Sequence, residues 1–109
     1  MAVDWKVVGP QMLMAAKGVL AKKWPKVKDY AEVEFKKLAD TLEMIEKLFL
    51  AGTITEDEAR LHLQIQKNAA RTVLLTFQGL GMLAAEEAIN AALGVLKAPV
   101  NAALGFKLL

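Results

Sequence analysis

The side chains that could do chemistry in this chain are few. Cysteine and serine are both absent, which excludes disulfides, thiolate metal sites and cysteine or serine nucleophiles. The single histidine, His62, stands between Leu61 and Leu63, with Glu58 one helical turn before it. A Glu–His pair at that spacing is half of a metal site, but di-iron bundles need Glu-x-x-His spacings and further inward carboxylates. Neither is present, so no metal is expected and His62 reads as the rim of a helical seam. Glu86 and Glu87 are the only charges between Thr72 and Leu96. Two carboxylates in apolar surroundings are raw material for acid–base catalysis, yet neighbouring helix positions point about 100° apart. They do not converge on one substrate and read as the wet side of a helix.

Gly79-Leu80-Gly81-Met82-Leu83-Ala84 fits the text of a dinucleotide-binding G-x-G-x-x-A. That motif works only inside a βαβ unit with an acidic residue about twenty positions on. The corresponding residues here are Pro99-Val100-Asn101, so nucleotide binding is not expected. No nucleophile, base and orienting group occur together anywhere. The sequence therefore predicts a non-enzymatic protein with no cofactor and no small-molecule substrate.

Lys17, Lys22, Lys23, Lys26 and Lys28 gather around Trp24, with Tyr30 nearby. Lysines beside tryptophan suit an anionic membrane surface. The plainer alternative is a lysine-rich loop whose Trp24 covers the core. The cluster holds no arginine, the usual tool for reading bases, and the net charge is only +2. Sequence-specific nucleic-acid binding is not expected.

The elements that must position these groups are helical. The 109 residues are 55% apolar and 24% charged, with mean hydropathy +0.31, enough for one apolar core. Ala31, Phe35, Leu38, Leu42, Ile45 and Phe49 step by four and three, a seam facing one partner. Glu32/Lys36 and Glu43/Lys47 are expected to pair on the opposite face, and Gly52 to end the helix in a left-handed cap. Thr55 to Glu58 forms a capping box, flanked by Ile54 and Ala59 as a hydrophobic staple. The seam resumes through Ala59, Leu63, Gln66, Ala70, Val73, Phe77, Leu80 and Ala84, with Arg60, Gln64, Lys67 and Arg71 as its wet back. The two seams predict an antiparallel αα-hairpin over about 27–78. An earlier helix is expected to start at Pro10 and run to about Lys23, stopped by Trp24-Pro25. Asp4, Pro10 and Lys17 interrupt the apolar N-terminus, so no cleaved signal is expected and a cytoplasmic location is favoured.

Beyond Arg71 the polar back disappears: only Glu86, Glu87, Lys97 and Lys107 are charged. A helix unbroken from Thr55 to Lys97 would be about 60 Å long, so a kink or break is expected at Gly79–Gly81. Pro99 sets another boundary and can begin a short last helix. Ile89-Asn90-Ala91-Ala92-Leu93-Gly94-Val95 recurs eleven residues later as Val100-Asn101-Ala102-Ala103-Leu104-Gly105-Phe106. Small residues let helices approach closely, and helical glycines need a reason to be tolerated. Two reasons compete: a contact made by Asn90, Ala91, Gly94, Asn101, Ala102 and Gly105, or helix ends at the two glycines.

These signals predict a single all-α domain over 1–109, a small helical bundle of four to five helices built on a central antiparallel αα-hairpin. The expected function is self-association into a homo-oligomer through the apolar C-terminal third, about 79–109, which two amphipathic helices alone cannot bury. The alternative is a peripheral membrane protein using the Lys/Trp patch with shallowly inserting C-terminal helices. A helical bundle holding an apolar ligand or a metal is a remote third reading.

Overall fold

The longest helix, α2, runs over Trp24–Leu50 in the computed structural model, which describes residues 3–76 and 80–109. Pro25 lies in its first turn, where no amide donor is needed. Ala31, Phe35, Leu38, Leu42 and Ile45 are buried along one side, with Phe49 half-buried. The charged face behaves as the period requires: the expected Glu43/Lys47 pair forms, and the expected Glu32/Lys36 pair is exchanged for two others. Lys28 pairs with Glu32 at 3.9 Å, Lys36 with Asp40 at 3.1 Å and Glu43 with Lys47 at 3.9 Å. Glu32 and Lys36 each find a partner four residues away in the other direction. Gly52 follows α2 with φ +75, the left-handed conformation that glycine adopts without steric cost.

The capping box of α3 (Glu56–Leu74) forms in both directions. The Thr55 hydroxyl accepts from the Glu58 amide at 3.1 Å, and the Glu58 carboxylate accepts from the Thr55 amide at 3.0 Å. Two otherwise unpaired donors are thereby satisfied. Ala59, Leu63, Ala70 and Leu74 are the buried residues of α3. The expected Val73 is half-buried instead, because a straight helix outruns a 3.5-residue repeat and moves its inner face one position on. Phe77 and Gly79 lie outside the described residues. Lys67 and Arg71 are half-buried rather than fully wet, because the next helix packs beside them.

Helix α1 (Trp5–Leu20) starts five residues before the expected Pro10. Asp4 caps it by accepting from the Lys6 amide at 3.1 Å. Burial of Val8, Met12, Ala16 and Leu20 makes one continuous inner stripe that includes the stretch before the proline. Pro10 removes one helical hydrogen bond, but Pro10 and Lys6 are both exposed, so the released carbonyl faces water. The helix ends at Leu20 with Ala21 at φ +49, and a 3-10 turn over Ala21–Lys23 leads into α2. α3 and α4 (Met82–Gly94) are separate helices, with Gly81 at the N-cap of the latter. α5 (Lys97–Leu104) carries Pro99 in its first turn.

Two side-chain contacts and one short loop fix the arrangement. Trp5 donates a long 3.4 Å bond to Glu46, joining the start of α1 to the end of α2. The short loop makes α2 and α3 antiparallel, and Arg71 pairs with Glu86 at 3.2 Å, joining the end of α3 to the start of α4. The result is an up-down-up-down bundle 42 Å long, with α4 closing on α1. α5 covers the end near the hairpin loop, where Phe106 stacks on Phe49 at 4.7 Å and lies under the Arg60 guanidinium at 5.2 Å.

Leu42→Ala and Leu74→Ala should each cost about 2–5 kcal/mol from transfer and cavity terms, and Lys36→Ala less than about 1 kcal/mol, read by denaturant titration. Gln66 is the polar member of the seam, and its Nε2 is buried without a partner. An unpaired buried donor costs roughly 1–3 kcal/mol, so Gln66→Leu should raise stability by about 1 kcal/mol. A loss of that size would show that the amide is satisfied.

Candidate functional site

The groups singled out for chemistry do not assemble into a reactive centre. Glu58 is committed to the capping box, and His62 is exposed. Among the described residues no three histidine or carboxylate side chains come together as metal ligands would. Glu86 turns toward α3 and Arg71, while Glu87 faces water. Arg71 is held on its other side by Asn68 at 2.8 Å. This cluster ties α3 to α4 and presents no nucleophile.

The apolar surplus expected of the C-terminal third is largely consumed inside the chain. Ala85, Ala88, Ile89, Ala92, Leu93, Leu96, Val100, Leu104 and Leu108 are all buried. The expectation counted only the two hairpin helices as cover, whereas α1 supplies another wall. Its inner residues Met12 and Ala16 are as fully buried as Ala85, Ala88 and Ala92. Side chains that small let two helix backbones approach closely along their length.

What remains outside is the outer face shared by α1 and α4. It carries exposed Val7, Met14, Gly18, Gly94 and Val95, with half-buried Ala15 and Ala91. Met14, 76% exposed, projects from the middle of this strip. The charged residues of the two helices are Lys6, Lys17, Glu86 and Glu87, whereas α2 alone has eleven.

The two copies of the repeat share an inner pattern: Ile89 and Val100 are buried, as are Leu93 and Leu104. Their outward residues differ in use. Asn90, Gly94, Ala102 and Gly105 are exposed, and Ala91 and Asn101 half-buried. Asn101 is fully engaged within the chain: its Oδ1 accepts from the Leu108 and Leu109 amides at 3.0 Å each, and its Nδ2 donates to the Leu109 carbonyl at 3.3 Å. Gly105 ends α5 at φ +79, and Gly94 is the last residue of α4. Beyond its own helical turn, a Cβ on Gly94 would meet no atom of the described residues within 4 Å. Helix termination therefore explains Gly105, and no close approach within the chain requires Gly94. Asn90 and Gly94 border a shallow groove of about 300 Å³ whose far side is Leu108 and Leu109, the residues that Asn101 holds.

The lysine cluster lies at one end of the bundle. Lys17 is in the last turn of α1, Lys22 and Lys23 in the 3-10 turn, and Lys26 and Lys28 at the start of α2. All five are exposed and Trp24 is half-buried; Trp24 also packs against the core. Because neighbouring helices run antiparallel, the start of α4 lies at the same end. It presents Met82 and Leu83, 57% and 71% exposed. The sequence reading joins the lysines to the C-terminal helices as a whole but does not single out these two residues. Their signal was position: they fall off the seam that passes through Leu80 and Ala84.

No helix among the described residues is long and apolar enough to cross a membrane. No family model, curated protein or solved structure matches this chain. Its function must therefore be argued from these surfaces.

Asn101→Ala removes three hydrogen bonds that hold the tail. It should cost about 1–3 kcal/mol and let the Leu108 and Leu109 amides exchange freely with solvent. Unchanged protection would mean that apolar burial alone fixes the tail.

Proposed function

We propose that the protein is a non-enzymatic helical module that self-associates through the charge-poor outer face of α1 and α4. The observation that carries this reading is the exposed Val7–Met14 strip beside Ala91, Gly94 and Val95. An exposed apolar strip on a small domain marks a contact surface more often than chance. Open space around the Gly94 Cα leaves room for a backbone of a second copy, while Asn90 lies one turn away on the side of α4 that faces α3 and the tail.

Α1 is about 24 Å long, so a face two helices wide offers on the order of 500 Å² per copy. Twice that area lies at the lower limit of specific interfaces. The association is therefore weak and concentration-dependent, and suits a two-fold pairing in which the same strip serves both copies. Asn101, Ala102 and Gly105 would take part only from the end of the bundle, with the Asn101 amide already used.

Light scattering over a concentration series should show a mass rising above that of the 11.9 kDa chain. Met14→Glu places a charge on the strip without touching the core and should hold the protein at monomer mass. Gly94→Leu should do the same while helicity stays constant. Gly105→Leu is a poorer probe, because a left-handed φ strains any side chain there. A wild-type mass that stays monomeric at every concentration removes this reading.

A further inference from the structure

We infer that the lysine-bearing end of the bundle docks onto an anionic lipid surface, with Met82 and Leu83 entering the headgroup layer. Sequence alone separates these parts by some sixty positions; the antiparallel ring places them together. The inference does not rest on self-association, because it uses an end of the bundle rather than its side.

The charge comes from Lys17, Lys22 and Lys26, with Lys23 engaged within the chain and Lys28 partly offset by Glu32 at 3.9 Å. The nearest other acids, Asp29, Glu86 and Glu87, stand at least a full turn inside α2 and α4, and Glu86 is paired with Arg71. The N-termini of α2 and α4 at this end are offset by the C-termini of α1 and α3, so the lysines rather than the helix dipoles supply its positive potential. The opposite end is close to balanced: Asp4, Glu56, Asp57 and Glu58 share it with Lys47, Arg60, Lys97 and Lys107, and Arg60 pairs with both Glu56 and Asp57. A positive excess at one end of a 42 Å axis turns the lysine end toward a negative surface.

Apolar side chains decide between the anionic partners. Phosphate on a nucleic-acid backbone satisfies lysine but gives Met82 and Leu83 nothing to enter. A lipid interface meets both needs: each lysine near an anionic leaflet contributes attraction, and two exposed apolar side chains bury methylenes among the headgroups. The lysine stems can lie flat while their amines stay wet. Docking is peripheral, since no helix among the described residues is both long and apolar enough to span.

The test is flotation of the purified chain with vesicles of phosphatidylcholine alone and of phosphatidylcholine with phosphatidylserine, at low and physiological salt. The wild type should float only with the anionic vesicles, less so as salt rises. Lys22→Glu/Lys23→Glu/Lys26→Glu should lower the partition coefficient at least about tenfold. Leu83→Glu should weaken binding most at the higher salt, where the apolar contribution dominates. Circular dichroism melting verifies that each variant is folded, which surface positions permit. Equal flotation on both compositions, no flotation, or a folded triple variant that floats like the wild type overturns the inference. So does tighter binding to a short duplex RNA or DNA than to the anionic vesicles, which would identify a phosphate backbone as the partner.

Discussion

A helix as rich in alanine as α4 has little side chain with which to hold its place. Ala85, Ala88 and Ala92 are fully buried, and each contributes only one methyl group to the core. Such a helix is stable in the bundle when a second surface comes within contact distance along its length, so that many weak dispersion contacts add up. The inner stripe of α1, from Val8 through Met12 and Ala16 to Leu20, is that surface. Closure of α4 on α1 thus decides three things at once. It buries most of the C-terminal third, leaves a charge-poor strip outside, and brings the start of α4 to the end where the lysines are.

The hairpin was legible because its two helices carry opposed signals at one period. Apolar residues repeat on one side, charges on the other, and Thr55 with Glu58 marks the turn between them. Even there the reading slipped at Val73, where the strict seven-residue repeat departs from 3.6 residues per turn. α1 was less legible because it lacks a charged back. With Lys6 and Lys17 its only charged residues, no polar back marks its phase, and Pro10 reads as a start although it stands inside the helix. The preference of proline for a first turn is a local rule; burial of Trp5 and Val8 against the core overrides it.

The candidate surfaces were legible in unequal measure for the same reason. Five lysines within twelve residues are visible in any reading, because proximity in sequence guarantees proximity in space. Met82 and Leu83 are distant in sequence, and their exposure depends on the rotation of α4 about its axis. That rotation is set by Arg71 reaching Glu86 and by the alanines facing α1, neither of which a periodicity count resolves. The repeat misled in a more instructive way. Two identical Asn-Ala-Ala-Leu-Gly strings share their inward residues, yet Asn101 tethers the chain's own tail while Asn90 faces outward. Identical local sequence fixes the face of a helix, and the neighbour across that face determines what it does.

The two surfaces make different physical demands, and this keeps them compatible. The α1–α4 strip is nearly uncharged, so contact there is insensitive to salt and limited by area. The lysine end is charged, so contact there weakens as ions screen it over about 8–10 Å. Two copies paired side by side with their lysine ends level would present twice the charge to one surface. Binding of the second end is then intramolecular, at an effective concentration far above that in solution. A weak pair and a weak lipid contact would each strengthen the other, provided the pairing is parallel. An antiparallel pair would point the lysine ends in opposite directions and link two surfaces instead. The symmetry of the strip, rather than its chemistry, would therefore determine which of these assemblies the proposed pairing gives.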